Sequence, residues 1–309
     1  MRERPIPPTI PGSLKPISGC DVTSFVETLL NGLMLGALYA LFGLGLSLSL
    51  GVMRLINIAH GDLIVLGAYI TSVVMSLSGV GPLASLVVVV PVMFGIGWLL
   101  QRVLLNQVVG RDPLSPLLLT FGLSIVLQNL LQEIFTADTR SLRAGDLAQR
   151  SIEMEGVSVG ALPLLSMLVS VLLFAGAHWI IERTHYGRQA RAVSDDPATA
   201  RLVGVNDRSF FALVTGCILA TTAVAAVLYA IRTPFSPSAG PERLLYAFEA
   251  VVLGGLGSIW GTFIGGLVIG VTQLFGAKIS SGLGPFFGHL VFLVALLARP
   301  RGLFGRVQP

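Results

Sequence analysis

Polar or ionisable side chains stand next to apolar runs in two stretches: Asn57, His60 and Asp62 in GVMRLINIAHGDLIVLGAY, read from Gly51, and Glu249 in AFEAVVLGGLGSIWGTFIGG, read from Ala247. Ionisable groups are costly in hydrocarbon, so those inside membrane segments face a bundle interior or a water-filled route. The chemistry that fits is passage of a solute or ion, not bond making. Both stretches carry glycine. Gly254, Gly255 and Gly257 each weaken a helix by about 1 kcal/mol relative to alanine, which predicts a break there. Paired, interrupted apolar segments in the two halves of a chain point to a transport site. The candidate path residues are therefore Asn57, His60, Asp62, Glu249, Ser258 and Thr262. Taken singly, His60 reads as a hydrogen-bonded interfacial residue and Asp62 as a helix cap; the case rests on the string.

A second cluster is cationic. Arg183, Arg188, Arg191 and Arg201 fall within ERTHYGRQARAVSDDPATARLVGVN, residues 182–206, between two hydrophobic runs. A short helix is signalled inside it, with Asp196 as N-cap, Pro197 at the first helical position and Gly204 placed to end it. Helices this short are marginal in water without tertiary or partner contacts, so the capping predicts a docking element.

The elements that carry these clusters are membrane helices. Residues are 53% hydrophobic and only 12% charged, against about 25% charged in soluble domains. Apolar segments run over roughly 29–50, 62–78, 83–100, 115–135, 163–181, 209–231, 248–276 and 286–299. Many approach the ~20 residues a helix needs to cross hydrocarbon. The expected fold is an all-α polytopic transmembrane bundle of about 8–10 helices with two glycine-interrupted segments. Arginines place residues 101–116, 182–206 and the tail ARPRGLFGR on the cytoplasmic side, and 136–160, of mixed charge, outside. Arg2, Arg4 and Lys15 favour an inside N-terminus, which requires a further crossing near 51–61; an outside leader is the alternative. Residues 1–24, with five prolines in the first twenty, read as a disordered leader, and 25–305 as one membrane domain. Ile17-Ser18-Gly19-Cys20 lacks the apolar run that a lipoprotein box needs.

Several classes are disfavoured. No G-x-x-x-x-G-K-[ST] is present, so the chain does not bind ATP in the usual way. H-E-x-x-H and G-x-S-x-G are missing too, and no paired carboxylates suit hydrolysis. Cys20 and Cys217 suggest neither a disulfide nor a metal site. The net charge of +4 sits in short loops beside apolar spans and sets orientation, so it does not indicate nucleic acid.

Asn57-Ile58-Ala59-His60-Gly61 with Asp62 and Gly67-Ala68-Tyr69, the 252–266 string VLGGLGSIWGTFIGG, and the tail RPRGLFGR resemble motifs of the branched-chain amino acid permeases of ABC importers. Tyr186-Gly187-Arg188, Arg191-Ala192, Ala200 and Gly204-Val205-Asn206 resemble the coupling loop of that family. The likeness covers about Asn31 to Gly305; the leader extends beyond the usual start, and 136–162 matches loosely. It implies a bacterial inner-membrane permease subunit with no cofactor, whose ATPase activity lies in partner chains. The implied partners are ABC ATPase subunits, a second homologous permease, a periplasmic solute-binding protein and membrane lipid. Gly187, Arg188, Arg191, Asp196, Ala200 and Gly204 are the implied coupling residues. Permeases for other amino acids, urea or amides share these motifs. The rival from another class is a secondary transporter in which His60, Asp62 and Glu249 couple proton movement.

Overall fold

The computed structural model describes residues 20–304 except 111, 113, 143, 144, 146–149, 155, 156 and 203. Eleven α-helices occur among them: α1 Cys20–Met53, α2 His60–Ser78, α3 Leu86–Val103, α4 Leu114–Phe135, α5 Ala161–Arg183, α6 His185–Asp195, α7 Pro197–Leu202, α8 Asp207–Arg232, α9 Gly240–Gly254, α10 Ile259–Ile279 and α11 Gly284–Ala298. Seven are long and apolar enough to span a membrane. With the shorter α9 and α11 the bundle has nine, inside the expected range. Most of the expected leader lies outside the described residues, but its last part does not: α1 begins at Cys20, so 20–24 are helical.

The bundle is organised on α1, which packs along α10 through small residues. A side chain on Gly36 would collide with the backbone of Leu267, and one on Gly270 with the backbone of Gly36. Apolar surface gains little from leaving lipid for protein, so close backbone approach and van der Waals contact hold such helices together. The 248–276 run is not one segment. Gly255 and Gly257 adopt φ of 102° and 77°, a region closed to most side chains, and Ser258 then caps α10 by accepting from the Gly261 amide at 3.1 Å. This is the break that the glycines predict.

The first interruption differs from expectation. Residues 54–59 do not cross the bundle; they leave the end of α1 and fold back beside it. His60 lands against Gly45 and Phe42, about eight residues short of the end of α1, or roughly 12 Å inward at the helical rise. With no extra crossing, the start of α1 lies opposite the arginine-rich segment, where Lys278 at the end of α10 donates to the Ser24 carbonyl at 2.9 Å.

The three basic segments share one side. Ser194 donates to the Gly51 carbonyl at 3.1 Å, Asn106 to the Arg208 carbonyl at 3.2 Å, and the Leu303 amide to the Leu253 carbonyl at 2.8 Å. On the other side 136–160 holds an antiparallel pair, Ser151–Met154 with Val157–Gly160. Arg140 bridges to Phe235 there and lies over the ring of Tyr69.

Candidate functional site

The first motif forms a compact polar node. Asn57 turns the chain by accepting from the Ala59 amide at 3.0 Å, and the Ile58 amide donates to Thr120 of α4 at 3.1 Å. His60 donates through Nε2 to the Phe42 carbonyl at 2.9 Å, a bond that fixes its tautomer. Asp62 is 1% exposed; Ser124 of α4 donates to its Oδ2 at 2.5 Å. Its Oδ1 has no hydrogen-bond partner among the described residues and lies against Gly240, the first residue of α9, where any side chain would collide with it. The starts of α2 and α9 thus meet at one carboxylate, and helix N-termini favour a negative charge.

The second motif does not close on that node. Glu249 is nine residues further along α9, roughly 13 Å at the helical rise. It is buried and hydrogen-bonds His289 of α11 at 2.6 Å, whose ring stacks on Tyr246. Oε2 of Glu249 has no hydrogen-bond partner among the described residues. Ser258 and Thr262 sit at the α9–α10 turn: Thr262 donates to the Ser258 carbonyl at 3.0 Å, and its methyl lies against Gly43. The six path candidates therefore form three separate groups, and all but Ser258 are buried. Ser124, Gly240 and His289 were missed because their sequence surroundings are ordinary helix; only the folded contacts assign them.

The basic segment is a helical pair. Thr184 caps α6 by accepting from the Gly187 amide at 3.4 Å, and Gly187 is pressed on the Ile181 backbone. Arg191 donates to the Ile181 carbonyl at 2.6 Å. Asp196 caps α7 as expected, its Oδ1 accepting from the Ala198 and Thr199 amides at 2.9 and 3.2 Å. Its Oδ2 accepts from the Thr199 hydroxyl, and that bond foremost, with the two amides, holds its carboxyl below the ordinary aspartate range. Gly204 ends the element at φ 88°. Gly187 and Ala200 point inward, whereas Arg188, Arg191, Asp196 and Gly204 are exposed. Tyr186 and Leu202, 58% and 87% exposed, add an apolar surface. Sequence reading missed α6, because only its contact with α5 and the end of α1 makes it a helix worth forming.

A family model described as branched-chain amino acid transport system / permease component matches residues 28–298. The chain is 32% identical to the high-affinity branched-chain amino acid transport system permease protein BraD of Pseudomonas aeruginosa, over 93% of this chain and 98% of that one. It is 31% identical to the corresponding LivH of Salmonella typhimurium, over 92% and 96%. The fructose import permease FrcC of Rhizobium meliloti is 29% identical over 55% of this chain and 50% of its own. No solved structure gives a significant match.

Proposed function

The chain belongs to the branched-chain amino acid transport system permease family, and from that premise we propose that it is the membrane subunit of an ATP-driven importer that moves branched-chain amino acids across the bacterial inner membrane. The observation that carries this reading is the capped pair α6–α7. It is a rigid, basic, apolar-tipped knob tied to α1 through Ser194 and Gly51, the contact a cytoplasmic ATPase subunit needs to move the bundle. Tyr186, Leu202 and the exposed arginines form its docking face, with the tail on the same cytoplasmic side. A second homologous permease and a periplasmic solute-binding protein complete the assembly.

Motion delivered to the end of α1 reaches the two interrupted segments first, because both pack on it. Separation of α2 from α9 at Asp62 and Gly240, and of α9 from α11 at Glu249 and His289, opens polar surface that is buried in the closed form. The test is uptake by proteoliposomes holding the permease pair, ATPase and binding protein. ATP-dependent leucine, isoleucine or valine uptake supports the reading. Uptake driven by a proton gradient without the ATPase overturns it in favour of a secondary transporter, and uptake of urea alone overturns the substrate.

A further inference from the structure

A cleft of about 540 Å³ opens between the end of α3 and the start of α8, on the side of the arginine-rich segment. Its walls include Arg102, Asn106, Gln107, Asn206, Arg208 and Ser209, with no carboxylate among the described lining residues. Arg102 and Arg208 are both exposed and make no ion pair among the described residues. The nearest acid in sequence, Asp207, is held by Arg201 at 2.6 Å. The charge of the cleft comes from these guanidiniums and not from the helix end, which Asn206 already caps by accepting from the Ser209 amide at 3.1 Å.

The cleft is built. Gln101, fully buried, accepts from Thr215 of α8 at 2.7 Å and donates to Asn106 at 3.0 Å, and Asn106 donates to the Arg208 carbonyl at 3.2 Å. This relay fixes the spacing of the two cationic walls. Below it the outer face of α3 is a continuous exposed apolar stripe, Val87, Val88, Val92, Leu99 and Val103, notched at Gly95, where a side chain would meet nothing. Trp98 lies on this stripe with Arg102 over its ring at 4.9 Å, and tryptophan marks membrane–water interfaces.

A cationic cleft continuous with a lipid-facing groove fits an amphiphile whose anionic head sits above its chains. We propose that Arg102 and Arg208 bind the phosphate of an anionic phospholipid, with its acyl chains along α3. The source is a lipid and not a free phosphate because the apolar stripe begins at the cleft's own arginine, and basic pockets between membrane helices on the cytoplasmic face bind such headgroups. An acidic protein surface would gain nothing from the stripe.

The test uses the assembled transporter in nanodiscs of phosphatidylcholine carrying a small fraction of fluorescent cardiolipin or phosphatidylglycerol, with binding read from energy transfer out of Trp98. Arg102→Ala/Arg208→Ala should bind the anionic lipid roughly 25-fold more weakly, about fivefold per guanidinium. Arg102→Lys/Arg208→Lys should recover most of it, and Arg301→Ala, a basic residue elsewhere on the same side, should leave it unchanged. Equal binding by wild type and the folded double-alanine variant overturns the proposal. So does full displacement by millimolar inorganic phosphate, which assigns the cleft to a small anion, or a signal absent from the assembled transporter and present only in the permease pair without its ATPase, which assigns the cleft to protein.

Discussion

At the scale of single residues, the buried polar atoms decide what each motif costs. Glu249 has one oxygen on His289 and the other without a partner among the described residues, so His289→Ala removes the bond that this buried carboxyl makes there. The expected loss is about 1–3 kcal/mol, read as a lower melting temperature of the purified protein, and His289→Gln, which retains a donor, should lose less. Asp196 works in the opposite setting, exposed and fully bonded. Asp196→Asn should keep the cap and Asp196→Ala should lose it. The folded carboxyl titrates below its unfolded value. Its contribution is therefore complete above the ordinary aspartate range and is lost as pH falls through the lowered value. Protection of the Ala198 and Thr199 amides, taken relative to their intrinsic exchange rates at each pH, should hold from pH 8 to about 5, since the unfolded carboxyl titrates near 3.9, and should fall only in stronger acid; loss of protection nearer neutrality would contradict the assignment.

At the scale of elements, Gly204 sits at φ 88° with open space around it, so a side chain there meets strain and no clash. Gly204→Val should cost about 1–3 kcal/mol locally, and Gly204→Asn less, because asparagine tolerates the left-handed region. In the reconstituted complex the valine variant should hydrolyse ATP with reduced uptake per ATP. Unchanged coupling in both variants would remove the docking role from this end of α7. The caps at Asp196 and Gly204 and the break at Gly254–Ser258 were legible because they rest on local backbone chemistry. The fold-back at 54–59 was not. Charge counting favours an inside N-terminus and with it a crossing there, leaving an outside leader as the alternative, but the turn is set by Asn57 against Ala59 and by Thr120 against Ile58, and the second of these partners is 62 positions away. The pairing of 151–154 with 157–160 went unread for a similar reason, since four-residue strands carry too little pattern inside a long loop.

At the scale of the whole molecule, the path candidates lie in three places around α1, and all but Ser258 are buried. Single cysteines, placed in a background with Cys20 and Cys217 replaced by serine, report whether they open. In the resting state, cysteines at Asn57, His60 and Thr262 should resist water-soluble thiol reagents, while one at half-exposed Ser258 reacts. With nucleotide trapped on the ATPase, Asn57 and His60 should become reactive, and lipid-facing Val87 should stay inert in both states. Inert sites throughout an active cycle would reduce the motif to helix packing. Removal of residues 1–19 should leave assembly and uptake intact, checked by size exclusion and transport, since nothing in that composition can build a core.

Because α9 starts inside the bundle against Asp62, it is a poor candidate for independent entry into the bilayer during synthesis. Its fifteen residues fall short of a span, and Glu242, Arg243 and Glu249 make it unattractive to the insertion machinery. By the time it leaves the ribosome, α1 and α2 must already be in place to receive it. The seat for residue 240 is made some 180 residues earlier in translation, so a lesion at Gly61 or Asp62 should appear as a late biogenesis defect, with the N-terminal helices inserted and the segment from Gly240 onward exposed to proteolysis.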